Sequence, residues 1–369
     1  MKQLIGLIAA NYVPENITDI TRGRPLAAMP FAGRYRLIDF ALSNMSNMGI
    51  RSVGIIMPGN YRPILDHLGS GKEWSLDKKR GGLFIFPGVN YGYLKSGSKF
   101  PMRDIINNAE YLYRADEEYI LISSANQVFN IDLEDLFKNH LASGADVTLL
   151  YKGISYEYES DEKVRFISDK DEKVTALPEV QPDTDAKLFA DVMIISKELL
   201  LKLIGWYREV PYTDLLDVLE QNLRTLNVRC HAMEGYLRRI DNTNNYFEAN
   251  MDLLKKEVRS ELFNGSRTIY TKIRDNMPTK YETGCSVSNS LFANGCVISG
   301  NVKNSILSRG VIIEPGASIK NCILLQKTIV RSGAILENVI ADKYSEISKG
   351  TILIKEDGSP YYLHKMANI

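Results

Sequence analysis

Apolar residues in the first two thirds of the chain gather in short unbroken runs: Leu4–Ala10, Val53–Met57, Tyr119–Ser123, Asp146–Leu150 and Val192–Ile195. Runs without alternation are the pattern of strands covered on both faces. Stretches with helical spacing, such as Ile105–Tyr113 and Leu133–Leu141, lie between them. The alternation predicts an α/β domain, a mostly parallel sheet with helices on both sides. In such sheets ligands bind beyond the carboxyl ends of the strands, so chemistry is expected in the loops after Ala10 and after Ser123. The first run follows a single Lys2 and has the look of a stunted signal peptide; a buried first strand fits it better.

From about Gly284 the helical period stops and short β-prone pieces repeat. Stepping by six from Val311 meets Ala317, Ile323, Ile329, Ile335, Ala341, Ile347 and Leu353, all aliphatic. A period of six is one strand and one turn of a triangular parallel β-helix with the aliphatic residue pointing inward; irregular strands in a sandwich are the plainer alternative. The polar stretch Asn264–Glu282, with Pro278, reads as the boundary. The expected division is an α/β domain over 1–263, a linker over 264–284 and a hexapeptide-repeat domain over 285–369.

Composition narrows the function classes. With 45 Lys+Arg against 45 Asp+Glu, 44% hydrophobic and 24% charged residues, the chain reads as a soluble globular protein. That balance argues against a strongly basic nucleic-acid binder or an acidic disordered chain. No apolar run reaches the ~20 residues of a membrane helix. Cys230, Cys285, Cys296 and Cys322 form no CxxC pair, so neither zinc nor a disulfide framework is suggested, and a reducing cytoplasm is the expected location. His67, His140, His231 and His364 show no ligand spacing and read as ordinary residues.

The loop after the first strand, Asn11-Tyr-Val-Pro-Glu-Asn16, lacks the glycines that bring backbone N–H groups to a phosphate, and Pro14 has no N–H. Arg22, Arg24, Arg34 and Arg36 follow with no acid between Asp19 and Asp39. They suit anion binding, or alternatively a solvated face with salt bridges. After Ser123 comes Ser124-Ala-Asn-Gln127, where a metal-dependent transferase would want a carboxylate; Asp132 reads as the cap of the following helix.

Longer motifs carry a resemblance. Pro30-Phe-Ala-Gly-Arg-Tyr-Arg-Leu-Ile-Asp-Phe-Ala-Leu-Ser-Asn44, His67-Leu-Gly-Ser-Gly71, Trp74-Ser-Leu-Asp-Lys-Lys-Arg-Gly-Gly-Leu-Phe84 and Tyr246-Phe-Glu-Ala-Asn-Met-Asp-Leu-Leu254 resemble the ADP-glucose pyrophosphorylases, that is, glucose-1-phosphate adenylyltransferases. The resemblance implies a Rossmann-like nucleotidyltransferase domain followed by a left-handed parallel β-helix of hexapeptide repeats. It implies synthesis of ADP-glucose from ATP and glucose 1-phosphate for glycogen or starch. This sequence departs from the family where the chemistry sits. The glycine-rich loop becomes Asn11, Tyr12 and Pro14, and its arginine becomes Asn16. The lysine tied to activator binding becomes Leu26, and the segment near base and phosphates becomes Phe100-Pro-Met-Arg-Asp104. The essential aspartate is Asn126, the sugar-site Glu-Lys-Pro is missing around Leu177-Pro178-Glu179, and the second metal-side aspartate is Arg239.

Losing one preorganised electrostatic element costs ~10²–10³ in rate. Together these losses leave no expected turnover, and no metal or cofactor is expected on this chain; magnesium belongs to a catalytic partner. The pattern is most like the non-catalytic GlgD-type regulatory subunit of Gram-positive bacteria. It implies a hetero-oligomer, a heterotetramer, with a catalytic subunit and no nucleic-acid or membrane partner. Arg24, Arg34 and Arg36 are the expected site for a phosphate-like effector near the domain junction. Three alternatives stand beside this reading. One is an active sugar-phosphate nucleotidyltransferase with a displaced metal site built from Asp104, Asp132 or Asp241. Another is a hexapeptide acyltransferase, disfavoured because no histidine lies between His231 and His364. The third is a scaffold binding no small molecule.

Overall fold

The computed structural model describes residues 3–12, 14, 17–88, 98–155, 164–181, 184–356 and 358–369. Its first unit is built on nine strands: β1 Leu4–Ala9, β2 Ser52–Met57, β3 Gly82–Pro87, β4 Tyr119–Ser124, β5 Val147–Ile154, β6 Ser168–Lys170, β7 Lys173–Ala176, β8 Ala186–Ser196 and β9 Val228–Ala232. They form one sheet in the order β3-β2-β1-β4-β8-β5-β9-β7-β6. Every residue of β1 is buried, as its unbroken apolar run requires.

The sheet is mixed, which corrects the expectation of a mostly parallel one. β3-β2-β1-β4 and β5-β9 pair in parallel, whereas β4-β8-β5 and β9-β7-β6 are antiparallel. The reason lies between β5 and β8, where the chain carries a hairpin, β6-β7, turned by Asp171 and Glu172 at φ 51° and 64°. A parallel return would need a crossover, and run patterns alone do not report strand direction. Ile105–Tyr113 likewise resolves into two short helices, Met102–Asn107 and Glu110–Tyr113. Helix Leu133–Ser143 starts where expected, with the Asp132 carboxylate accepting from Glu134 N.

The second unit is a left-handed parallel β-helix of three five-stranded sheets, beginning with strand Lys280–Tyr281. Its inward residues are Ile313, Ile319, Leu324, Val330, Leu336, Ala341 and Ile347, all buried. Ile313 pairs with Val330 and Val330 with Ile347, so these coils are 17 residues long with inward steps of six, six and five. A strict step of six therefore slips by one residue per coil. Of the positions it selects, Val311, Ala317, Ile323, Ala341 and Ile347 are buried, but Ile335 points outward and is 38% exposed.

Residues of the motifs that carry the resemblance hold the scaffold together. Asn44 Nδ2 donates to the carbonyls of Phe40 and Phe129 while its Oδ1 accepts from Ile131 N. Tyr246 Oη donates to Pro30 O at 2.5 Å, and Asn250 Oδ1 accepts from Ala32 N at 3.0 Å. Buried His67 meets Asp39 at 2.5 Å. The remaining histidines are scattered: His140 bonds Thr148, His231 pairs with Asp135, and His364 lies at the surface. All four cysteines are free thiols.

The two units share a core. Tyr12, Leu26, Phe31 and Tyr246 pack in one cluster with Ile323, Leu325 and Ile340. Gly33, at φ +74°, fits this junction because a Cβ there would stand 3.1 Å from Leu307 O of the β-helix. Across the same junction Arg24 forms a buried ion pair with Asp342, which also accepts from Tyr362 Oη and Lys343 N, each at 2.6 Å. Removing one partner of a buried pair strands the other charge in low dielectric. Asp342→Ala is expected to destabilise the chain by about 3–5 kcal/mol, read by chemical denaturation, whereas an exposed pair such as Arg114–Glu110 is expected to be removable at little cost.

Candidate functional site

Beyond the carboxyl ends of β1 and β4 the chain brings together the segments singled out above. Strand Gln127–Phe129 pairs antiparallel with Leu237–Arg239, setting Gln127 opposite Arg239. Ile240 N then donates to Asn126 O at 2.8 Å, so Asn126 and Arg239 are neighbours. Asn126 Oδ1 accepts from Ser124 Oγ at 2.5 Å. Asn16, the third degenerate position, lies outside the described residues.

Three further residues of this crevice escape the sequence reading. Lys99 is buried and its Nζ sits 2.5 Å from Asp191 Oδ2 and 5.3 Å from the centroid of the Tyr12 ring. Arg239 Nε approaches the same Asp191 oxygen at 3.9 Å. Asp191 reaches them from an irregular point of β8, at φ 50°, a left-handed conformation a non-glycine residue seldom adopts. Asp214 fixes Lys99 by accepting from Ser98 Oγ, Lys99 N and Phe100 N through one oxygen. Burial and the Arg239 charge push Lys99 down to about 8 against the pull of Asp191 and Asp241. An acid inside an otherwise apolar strand was the available signal for Asp191.

These side chains do not suit magnesium. Asn126 is neutral and committed to Ser124; Arg239 and Lys99 are cations, and Asp191 serves both. The two cations face two buried acids, Asp191 and Asp241, so the cluster is already neutral. Of the candidates for a displaced metal site, Asp104 accepts from Asn11 Nδ2 and Asp241 from Asn245 Nδ2, each at 2.5 Å, while Asp132 caps its helix. Among the described residues no group of three or more His, Cys, Asp and Glu side chains is arranged to hold a metal. At the sugar-side segment, the guanidinium of Arg165 donates to Leu177 O and pairs with Glu179, Asp217 and Glu220.

The arginine cluster divides. Arg24 is turned to Asp342 inside the junction. Arg34 and Arg36 line a pocket between the two units together with Lys272, Arg274, Arg309 and Lys343, four cations the sequence reading did not include, and no acid lines it. The pocket's volume is about 40 Å³. At ~10–15 Å³ for a water on the same measure, that is room for one small oxyanion. Burial pushes Arg36 down to about 10, with Arg24 and Arg274 adding to the effect and Asp39 opposing it. Burial first, then Arg36 and Arg24, push Lys343 down to about 7. Unlike the crevice, this pocket carries uncompensated positive charge, which an anion would relieve.

A pH dependence follows. Below about 7 Lys343 is protonated and attracts an anion; above that value its charge is lost. Sulfate keeps its own charge through this range. Its affinity, measured by titration calorimetry, is expected to fall as pH rises through about 7, and Lys343→Met is expected to flatten the profile.

Comparison with known proteins agrees with this architecture. Residues 15–185 match the nucleotidyl transferase family and residues 276–358 the GlmU-like C-terminal hexapeptide family. The chain is 36% identical over 320 residues to the glycogen biosynthesis protein GlgD of Bacillus subtilis, covering 86% of this chain and 82% of that protein. It is 35% identical to GlgD of Geobacillus stearothermophilus, over 86% and 83% of the two chains. It is 30% identical to the glucose-1-phosphate adenylyltransferase of Halalkalibacterium halodurans, over 86% and 84%. No helix among the described residues is long and apolar enough to cross a membrane. The shared scaffold and the extent of these matches show that the chain belongs to the family of GlgD and the glucose-1-phosphate adenylyltransferases.

Proposed function

We propose that this chain is a catalytically degenerate, regulatory subunit of glycogen biosynthesis. It would modulate a catalytic glucose-1-phosphate adenylyltransferase with which it forms a hetero-oligomer, a heterotetramer, in the cytoplasm. One observation carries the reading: Lys99 and Arg239 converge on Asp191 where nucleotidyl transfer needs acids holding a metal against departing pyrophosphate. A cation there can neutralise phosphate but cannot bind an ion, so magnesium remains the partner's. The names of the GlgD relatives place them in glycogen biosynthesis, and the similarity to adenylyltransferases supports a partner of that class.

A subunit without turnover acts by shifting a partner between conformations, with couplings of ~1–3 kcal/mol, or roughly 5–150-fold. The basic junction pocket fits such a role as the place where a phosphate-like effector bears on both units at once.

The purified chain is expected to make no ADP-glucose from ATP and glucose 1-phosphate with magnesium. Asn126→Asp combined with Arg239→Asp is expected to leave it inactive, because Lys99 and the missing glycines remain. Mixed with a catalytic subunit, the chain is expected to co-purify and raise that subunit's kcat or lower its KM. Turnover by the isolated chain would support the displaced-site enzyme instead, and a complex with unchanged kinetics would leave a scaffold. Arg34→Ala with Arg36→Ala is expected to weaken sulfate binding and to alter the partner's response to phosphate; no change in either assay would make the pocket structural.

A further inference from the structure

The nine-stranded sheet ends differently at its two edges. β6 is three residues long and carries Asp169 and Lys170, a short charged edge of the kind that resists further pairing. β3 is six residues long, Gly-Leu-Phe-Ile-Phe-Pro, and leaves Phe84 and Ile85 each 39% exposed. Nothing in its sequence discourages another strand until Pro87.

The backbone shows which groups are available. Gly82 N donates to Arg51 O at 2.7 Å and Gly88 N to Met57 O at 2.8 Å, so in this parallel ladder the even-numbered residues face β2. The odd-numbered ones face away. Leu83 N is taken by Leu76 O at 3.1 Å, and Pro87 has no N–H. Ile85 therefore offers both an N–H and a C=O outward, and neither has a partner among the described residues. A residue on a two-fold axis between antiparallel strands meets its own copy and exchanges both bonds with it.

The flanking surface carries charges of both signs, of which Glu110 and Arg114 are already paired within the chain. A groove of about 830 Å³ beside Phe84 is lined by Arg51, Arg80 and Arg114 and by Glu110, Asp116 and Glu117. A patch carrying both signs can face a rotated copy with opposite charges matched, whereas a single-signed patch would repel its copy. The Phe84 ring lies 5.3 Å from the Tyr111 ring at a tilt of 50°, giving the seam an apolar centre.

We propose that β3 pairs antiparallel with β3 of a second copy of this chain, on a two-fold axis at Ile85, joining two nine-stranded sheets into one. This assembly concerns the chain by itself and is independent of its regulatory role. Sedimentation equilibrium of the isolated chain at micromolar concentration is expected to give twice the 41.6 kDa chain mass. Ile85→Lys, which sets like charges together, is expected to return it to 41.6 kDa with unchanged circular dichroism. Should that variant misfold, Ile85→Cys decides: opposed residues in such a pair lie about 5.5 Å apart at Cα, within disulfide reach. Mild oxidation is expected to trap a covalent dimer that wild type does not form. A monomeric wild-type chain, a dimer that survives Ile85→Lys in folded form, or an Ile85→Cys chain that does not cross-link would each overturn the proposal. So would a chain that is monomeric alone and uses this edge only with a catalytic subunit.

Discussion

Charge removed from water has to be balanced, and this constraint shapes the crevice at the strand ends and the pocket at the junction. In the crevice at the strand ends, two cations and two acids cancel within the fold, so nothing from outside is required. At the junction the balance is left open: Asp342 is spent on Arg24, and the neighbouring arginines and lysines have no acid of their own in the pocket wall. One cleft has become part of the core, and the other has kept a vacancy for negative charge. The same elementary rule thus separates a cleft whose charges cancel internally from one that keeps an excess of positive charge.

Much of the architecture was legible in the chain because burial leaves a pattern. Unbroken runs located β1, β2, β4, β5 and β8, and the aliphatic period exposed the β-helix. Strand direction was not legible, since β8 is as apolar as a parallel strand; only the hairpin before it reverses the chain. The step of six failed for Ile335 because one corner of each 17-residue coil is a residue shorter, a geometric detail that leaves the residue aliphatic.

The nearness of two residues singled out in the sequence is what the fold adds at the crevice. Asn126 and Arg239 could be named from what they replace, and the fold does set them side by side. Lys99 breaks no motif, and although Asp191 stands out as an acid in an apolar strand, their pairing spans 92 residues of chain and is not visible in the sequence. The junction pocket shows the same limit. Arg34 and Arg36 fall in one arginine-rich stretch, but Lys272, Arg274, Arg309 and Lys343 come from three distant segments that only the docking of the β-helix assembles. Arg24, a member of that stretch and of the expected anion site, is instead paired with Asp342 inside the interface.

The shared core has a consequence for inheritance. Leu26, Phe31 and Tyr246 on one side and Ile323, Leu325 and Ile340 on the other form a single packed cluster, and Gly33 leaves no room between them. A recombination event that exchanged the β-helix alone would import a surface cut for a different partner face. A different β-helix could be joined to this first unit only if its surface matched that cluster. The motif residues Phe31 and Tyr246 thus serve the second unit, which is built against them, whatever chemistry the first unit carries.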